Sequence, residues 1–388
     1  MFITHHDFAG KDLTGKGNSC PAGAFMVAHD DGRRQRFPEM EKNAAMAPCS
    51  RSSSGVRELK GEKAMNRKMI NHHAIRLLLA GLIGALAMSS RSSEAADPFV
   101  VQQTDKGVRV MMDGKLLTHY LSRSGAKPIL WPVMGPDSVE LTRGYPMRAE
   151  GGEHERKDHV HHRSFWFTHG DVNGVSFWHE NDTHGNIVHR EFSEVSGGKS
   201  AVIASVNDWI GPEGKKFCED KRRYEFHRDG DLRLIDVDVT VTASNGKVTF
   251  GDTKEGSFGV RVAGSMKVDE KLGGLLTNSE GQTNTDAWGK PARWVDYCGP
   301  VGEKTYGVAI LNHPDSYGFP SHWHVRTYGL FAANPFGLKA FYKGAEGKDG
   351  TLVLSPGESF TLKYRVVLHP GDHDAELIEK QFKAYSGE

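Results

Sequence analysis

Apolar and polar residues alternate with a period of two along most of the chain beyond residue 97, in short runs closed by turn pairs. Val108-Arg109-Val110-Met111-Met112 runs through Asp113-Gly114 into Lys115-Leu116-Leu117-Thr118-His119-Tyr120. Successive side chains of a strand point to opposite faces, and Asp-Gly tolerates the positive φ angles of a tight hairpin turn, so this segment predicts two antiparallel strands. The pattern recurs over residues 224–242 around Asp229-Gly230, and again near Asn245-Gly246. Residues 351–354 and 360–368, on either side of Ser355-Pro356-Gly357-Glu358, read as a further strand pair. Only residues 374–385 change period, with Leu377, Ile378, Gln381, Phe382 and Tyr385 on one side of a helix that is expected to pack back on a sheet. The expected fold is all-β: a large two-layer antiparallel β-sandwich over residues 97–388, read as one domain, with a short C-terminal helix.

Residues 65–96 differ in kind. Arg67, Lys68 and Arg76 precede an apolar core over 77–88, and Ser-rich residues then lead to Ala95-Ala96. Basic, apolar and small-residue regions in this order predict a secretory signal peptide cleaved near Ala95-Ala96, its core too short to anchor in a bilayer. Residues 1–64 show no hydrophobic periodicity and read as a disordered or mis-assigned leader, with Met65 or Met69 as the true start. No later stretch reaches 18 apolar residues, so the expectation is a secreted or periplasmic protein without stable membrane insertion. Beyond the leader only Cys218 and Cys298 remain, and a disulfide or two free thiols are both open.

Charge narrows the partners. Lys+Arg and Asp+Glu each number 49, and the basic excess lies in the first hundred residues, which leaves the remainder mildly acidic. Without a positive field to neutralise phosphates, nucleic acid is excluded as a partner, and a small molecule or oligosaccharide is expected instead.

The candidate chemistry is concentrated in histidine. His154, His159, His161, His162, His169, His179, His184 and His189 fall within one short segment. Read as a strand, His159 and His161 share a face with Arg163 while His162 points away, and His322-Trp323-His324 repeats the geometry with Arg326 in line. Four readings remain open. The histidines are polar loop residues. Alternatively His159, His161, His322 and His324 ligate a divalent metal. A third reading is a carbohydrate site, with imidazoles and carboxylates moving protons and aromatic rings covering the sugar. A fourth uses Arg163, Arg261 and Arg326 to hold an anion. His154-Glu155-Arg156-Lys157-Asp158 lacks the final histidine of HExxH, and Phe165 and Trp166 stand where a cupin needs its glutamate.

The motif running from Asp158 through His169-Gly170-Asp171-Val172-Asn173-Gly174 to Phe177-Trp178 resembles a family of exported bacterial proteins of unknown function labelled "methane oxygenase PmoA". The segment from Lys254-Glu255 to Arg261, Trp288-Gly289 with Trp294-Val295-Asp296-Tyr297, and the stretch from Trp323-His324 to Asn334-Pro335-Phe336-Gly337 carry the same resemblance. It implies a β-rich layout similar to galactose-mutarotase-like supersandwiches and company with polysaccharide-degrading systems. Methane oxidation is not expected, since the membrane subunit of that name spans the bilayer with helices.

The leading expectation is therefore an exported protein that binds and processes a carbohydrate and requires no cofactor. His159, His161, His162, His169, Asp171 and Glu255 are its candidate catalytic groups. Arg163, Trp166, Asn173, Trp178, Arg261, Trp288, His324, Arg326, Tyr328 and Asn334 are its candidate substrate contacts. A metal-dependent enzyme, an oxidoreductase among the options, and a non-catalytic sugar-binding module are the alternatives.

Overall fold

The structure is a computed structural model that describes residues 97–388; the segments expected to be a leader (1–64) and a signal peptide (65–96) lie outside the described residues. One eight-stranded sheet contains, in spatial order, β1 (Phe99–Thr104), β2 (Gly107–Met112), β3 (Lys115–Ser124), β4 (Lys127–Val133), β5 (Phe165–His169), β11 (Gly256–Arg261), β16 (Leu330–Ala333) and β15 (Trp323–Val325). The second, also of eight strands, runs β12 (Leu275–Asn278), β13 (Trp294–Val301), β14 (Lys304–Asn312), β18 (Ser359–Pro370), β9 (Leu232–Thr242), β8 (Lys216–Asp229), β7 (Ala201–Ile210), β6 (Asn186–Ser196). A ribbon of β10 (Val248–Phe250) and β17 (Leu352–Leu354) completes the β structure, and a single helical turn, α1 (Leu338–Phe341), follows β16. The expected antiparallel sandwich is the observed one, and no helix among the described residues is long and apolar enough to cross a membrane.

Alternation decides which side chains meet between the sheets. In β5, Phe165 and Phe167 enter the main core with Phe258 and Val260 of β11, while Trp166 points to the outer face of the first sheet. The hairpin β2–β3 forms with Met112 opposite Lys115, and β8–β9 with Asp229 opposite Leu232, as the turn pairs predict. The third expected pair does not form. β17 pairs with β10, whereas β18 lies between β14 and β9, because the intervening turn docks on Ala243 through Ala243 N–H to Glu358 O and Gly357 N–H to Ala243 O, both 2.9 Å.

The core is not wholly apolar. Asp220 and Arg222 of β8 form a fully buried pair with contacts of 2.8 Å, and the same carboxylate accepts from Asn207 and Trp209, both at 2.7 Å. The Tyr120 hydroxyl reaches across from the first sheet to donate to Ser205 (3.2 Å), and Arg222 lies over the ring of Phe167 on that sheet. Cys218 and Cys298 are separate buried thiols.

The C-terminal helix α2 (Ala375–Ser386) starts at Asp374, whose carboxylate accepts from the N–H groups of Glu376 and Leu377, both 3.0 Å. Ile378 and Phe382 pack with Leu232, Leu234, Trp294, Leu311 and Val367 on the outer face of the second sheet. Truncating Phe382 to Ala removes the centre of that contact. It is expected to lower unfolding free energy by about 3 kcal/mol, measured by denaturant titration followed by tryptophan fluorescence; a loss near zero would mean that the helix contributes no buried area.

Candidate functional site

The histidine-rich segment is a turn, not a strand. His162 N–H donates to His159 O at 2.9 Å, His159 sits at φ 42°, and β5 begins only at Phe165. A strand would need those carbonyls for its ladder, but a guanidinium takes them. Arg143 donates to Asp158 O and His159 O, both 2.8 Å, and to Asp158 Oδ1 at 2.9 Å. Arg261, at the end of β11, donates to the same Oδ1 at 3.2 Å and to His162 Nδ1 at 3.0 Å, which leaves the proton of that imidazole on Nε2. Both arginines are buried. The turn therefore stacks His159 on His162 (4.8 Å, 5°) and on Tyr328 (5.3 Å), instead of aligning His159 with His161.

Beneath the turn lies a small apolar platform on the outer face of the first sheet. Trp166, Trp178, Leu330, Ala332 and Ile129 pack there. His162 stacks on Trp166 (5.5 Å), and a β carbon at Gly259, opposite Trp166 in the β5–β11 register, would come within 3.0 Å of that indole. Above the platform opens a cleft of about 440 Å³ lined by His159, His161, His162, His179, Lys254, Glu255, His324, Arg326, Thr327 and Tyr328.

The electrostatics of the cleft favour neutral imidazoles beside a charged carboxylate. Burial, reinforced by Lys127, His179 and His159, lowers the pKa of His161 to about 3. Burial also lowers His324 to about 4 against the pull of Glu255, and holds His162 and His179 below the ordinary value. Arg326 Nε donates to His324 Nε2 at 3.1 Å, and its guanidinium rests 5.4 Å from the Trp288 ring. Glu255 is held below the usual carboxylate range: burial opposes this, but the hydrogen bond and charge of the Lys254 ammonium outweigh it. Arg261 lies 4.5 Å from the centre of the Tyr328 ring, behind the cleft wall.

The structure thus places His159, His161, His162, Glu255, His324, Arg326 and Tyr328 at one cleft, with Trp166, Trp178, Arg261 and Trp288 packed directly behind them. Other candidates lie elsewhere. His169 is fully buried, bonded through Nε2 to Gly251 O (2.8 Å) and through Nδ1 to Ser257 (3.2 Å). Asp171 caps its own turn by accepting from Gly174 N–H, and Asn173 ties that turn to β10 by accepting from Thr249 N–H. Asn334 donates to Thr253 O, and Arg163 makes a bidentate pair with Glu180, which also holds the buried Lys127. His322 bonds Tyr342 and stacks on Phe341, away from His324, so the four histidines proposed as metal ligands do not converge. Among the described residues, only Asp296, Cys298 and His369 bring three such donor atoms within 4.8 Å of one another. Lys254, Thr327 and His179 join the cleft without having been singled out from sequence, although His179 stood in the histidine cluster.

Comparisons with known proteins give the following. No curated protein matches the chain by sequence. Among solved structures, an α-galactosidase from Geobacillus stearothermophilus is 13% identical with a TM-score of 0.33, over 71% of this chain and 40% of that one, so the chain spans about two fifths of its length. A galactose mutarotase related enzyme from Lactobacillus acidophilus is 10% identical (TM-score 0.28; 70% of this chain, 97% of that one). A galactose mutarotase-like protein from Lactobacillus casei is 11% identical (TM-score 0.29; 70% and 100%). Likenesses at this level carry no argument about the site, which is read from its own residues. The sequence profile of one family spans residues 107–383, taking in the histidine turn, both arginines that hold it and every residue lining the cleft; the chain belongs to that family, the family of unknown function DUF6807.

Proposed function

We propose that this protein is exported, binds a carbohydrate in the cleft formed by the histidine turn, and processes it by proton transfer through neutral imidazoles and the Glu255 carboxylate. The observation that carries the reading is the pairing of ring faces with convergent polar ends in one small space. His159 and Tyr328 offer stacked rings at the wall, while His161, His179, His324, Glu255, Lys254 and Arg326 bring donors and acceptors to the same cleft. A sugar presents both an apolar ring face and a rim of hydroxyls, and a cleft of about 440 Å³ has the size of a small-ligand site. Glu255 and His161 are the proton acceptors in this scheme, because both are unprotonated at neutral pH. Arg326, steadied by Trp288 and His324, and Lys254 would hold hydroxyl or carboxylate groups of the ligand.

Screening of mono- and oligosaccharides by calorimetry, with product analysis, tests the reading. Glu255→Gln is expected to retain binding and to lose turnover by about 10²-fold or more. His161→Ala is expected to lose binding or turnover with little change in melting temperature, since the ring is half-buried at the cleft and takes no hydrogen bond in the turn. Binding with no product from the native protein under any condition would reduce the protein to a binding module, and no sugar affinity at all would remove the proposal.

The pH profile supplies a second check. Burial favours the neutral form of His324, so its proton is taken up only as pH falls through about 4, well below the ordinary histidine value of 6.5. Turnover or binding should therefore stay level through pH 6.5 and fall toward pH 4. A half-maximal point near 6.5 in the pH–rate profile would show that the active groups are ordinary exposed histidines.

A further inference from the structure

A second cluster of donors lies on the outer face of the other sheet. Asp296 and Cys298, two apart on β13, share a face, and His369 of β18 comes to the same place from across β14. The residue between them is Gly307, paired with Cys298 on one side and His369 on the other. Cys298 Sγ lies 3.2 Å from Asp296 Oδ2 and 3.8 Å from His369 Nε2, which is 3.2 Å from Asp296 Oδ1. His373 Nδ1 approaches Asp296 Oδ2 at 2.7 Å from the segment just before the Asp374 cap of α2. Asp296, Cys298 and His369 are all buried.

Four features point to a cation here. The donors are a thiol, an imidazole and a carboxylate, the mixture that suits zinc. Their separations of 3.2 Å, 3.2 Å and 3.8 Å lie close to the edges of a zinc tetrahedron, about 3.3–3.8 Å for metal bonds of about 2.0–2.3 Å. The space among them is also kept clear, since a β carbon on Gly307 would lie 2.0 Å from His369 Nε2 and 2.8 Å from Cys298 Sγ, close to where an ion bonded to both would sit. Finally, Asp296 is a buried carboxylate that no Lys or Arg among the described residues pairs with, and a divalent ion would answer that charge.

We propose that Asp296, Cys298 and His369 form a zinc site that ties β13 to β18, with His373, hydrogen-bonded to the Asp296 carboxylate, orienting that ligand from the lead-in of the C-terminal helix. Zinc binding would take the thiolate form of Cys298 and release its proton to solvent. The site is separate from the cleft and independent of the carbohydrate reading.

Elemental mass spectrometry of the full chain purified without chelator tests the proposal. Near-stoichiometric zinc is expected in the native protein and in His161→Ala, and its loss is expected in Cys298→Ser. So that the test does not depend on Cys298→Ser folding, the native protein stripped by chelator and refilled with Co²⁺ gives a second reading. A thiolate-to-cobalt charge-transfer band in the near ultraviolet is expected, together with a melting temperature that falls on stripping and recovers with Zn²⁺. No bound metal together with no charge-transfer band would reduce the cluster to a hydrogen-bonded trio and overturn the proposal. Metal that leaves with His161→Ala but stays in Cys298→Ser would overturn it as well.

Discussion

The cleft exists because two buried guanidinium groups take most of their acceptors from one short turn. Arg143 and Arg261 sit under residues 158–162 and are shielded from water, so each must find acceptors inside the protein. They find the Asp158 carboxylate, two main-chain carbonyls and a ring nitrogen of His162. The chain cannot continue as a strand while those carbonyls are taken. It folds over instead, and the rings of His159, His161 and His162 gather in one place. The acceptors that satisfy the arginines and the shape that makes the cleft are thus the same atoms.

What the turn rests on matters as much as what holds it. Trp166 and Trp178 form a dry floor that desolvates the imidazoles above them, which is why His161, His162 and His324 all favour the neutral form. Glu255 escapes the opposite shift because Lys254 is bonded to it. A cleft in which histidines resist protonation beside an ionised carboxylate keeps unprotonated ring nitrogens and carboxylate oxygens over a wide range of pH.

Local pattern made the sandwich legible. Asp113-Gly114 and Asp229-Gly230 fix hairpins within a few residues, and the spacing of Leu377, Ile378, Gln381 and Phe382 marks a helix by itself. The candidate site was legible as a group of residue types and not as a geometry. His159 and His161 look like a strand pair until Arg261, about a hundred residues later, captures Asp158 and His162, and nothing near the histidines announces that partner. Residues 351–354 and 360–368 look like a hairpin for the same reason, because their separation into ribbon and sheet is decided by where Ala243 lies. Asp171 and Asn173 gained weight from standing near the histidines, while their side chains hold main-chain N–H groups, that of Gly174 in the same turn and that of Thr249 in β10.

The polar pair in the core has a mechanical meaning. An apolar interface between two sheets is tolerant of sliding, since one methyl group replaces another at little cost. Here Tyr120 from one sheet must meet Ser205 on the other, and Arg222 must lie over Phe167 while holding Asp220. A shift of one residue would leave a buried carboxylate or hydroxyl without its partner. The two layers are therefore keyed like a lock and its bolt, with one seating allowed, and β5 carries that fixed alignment outward to the floor of the cleft.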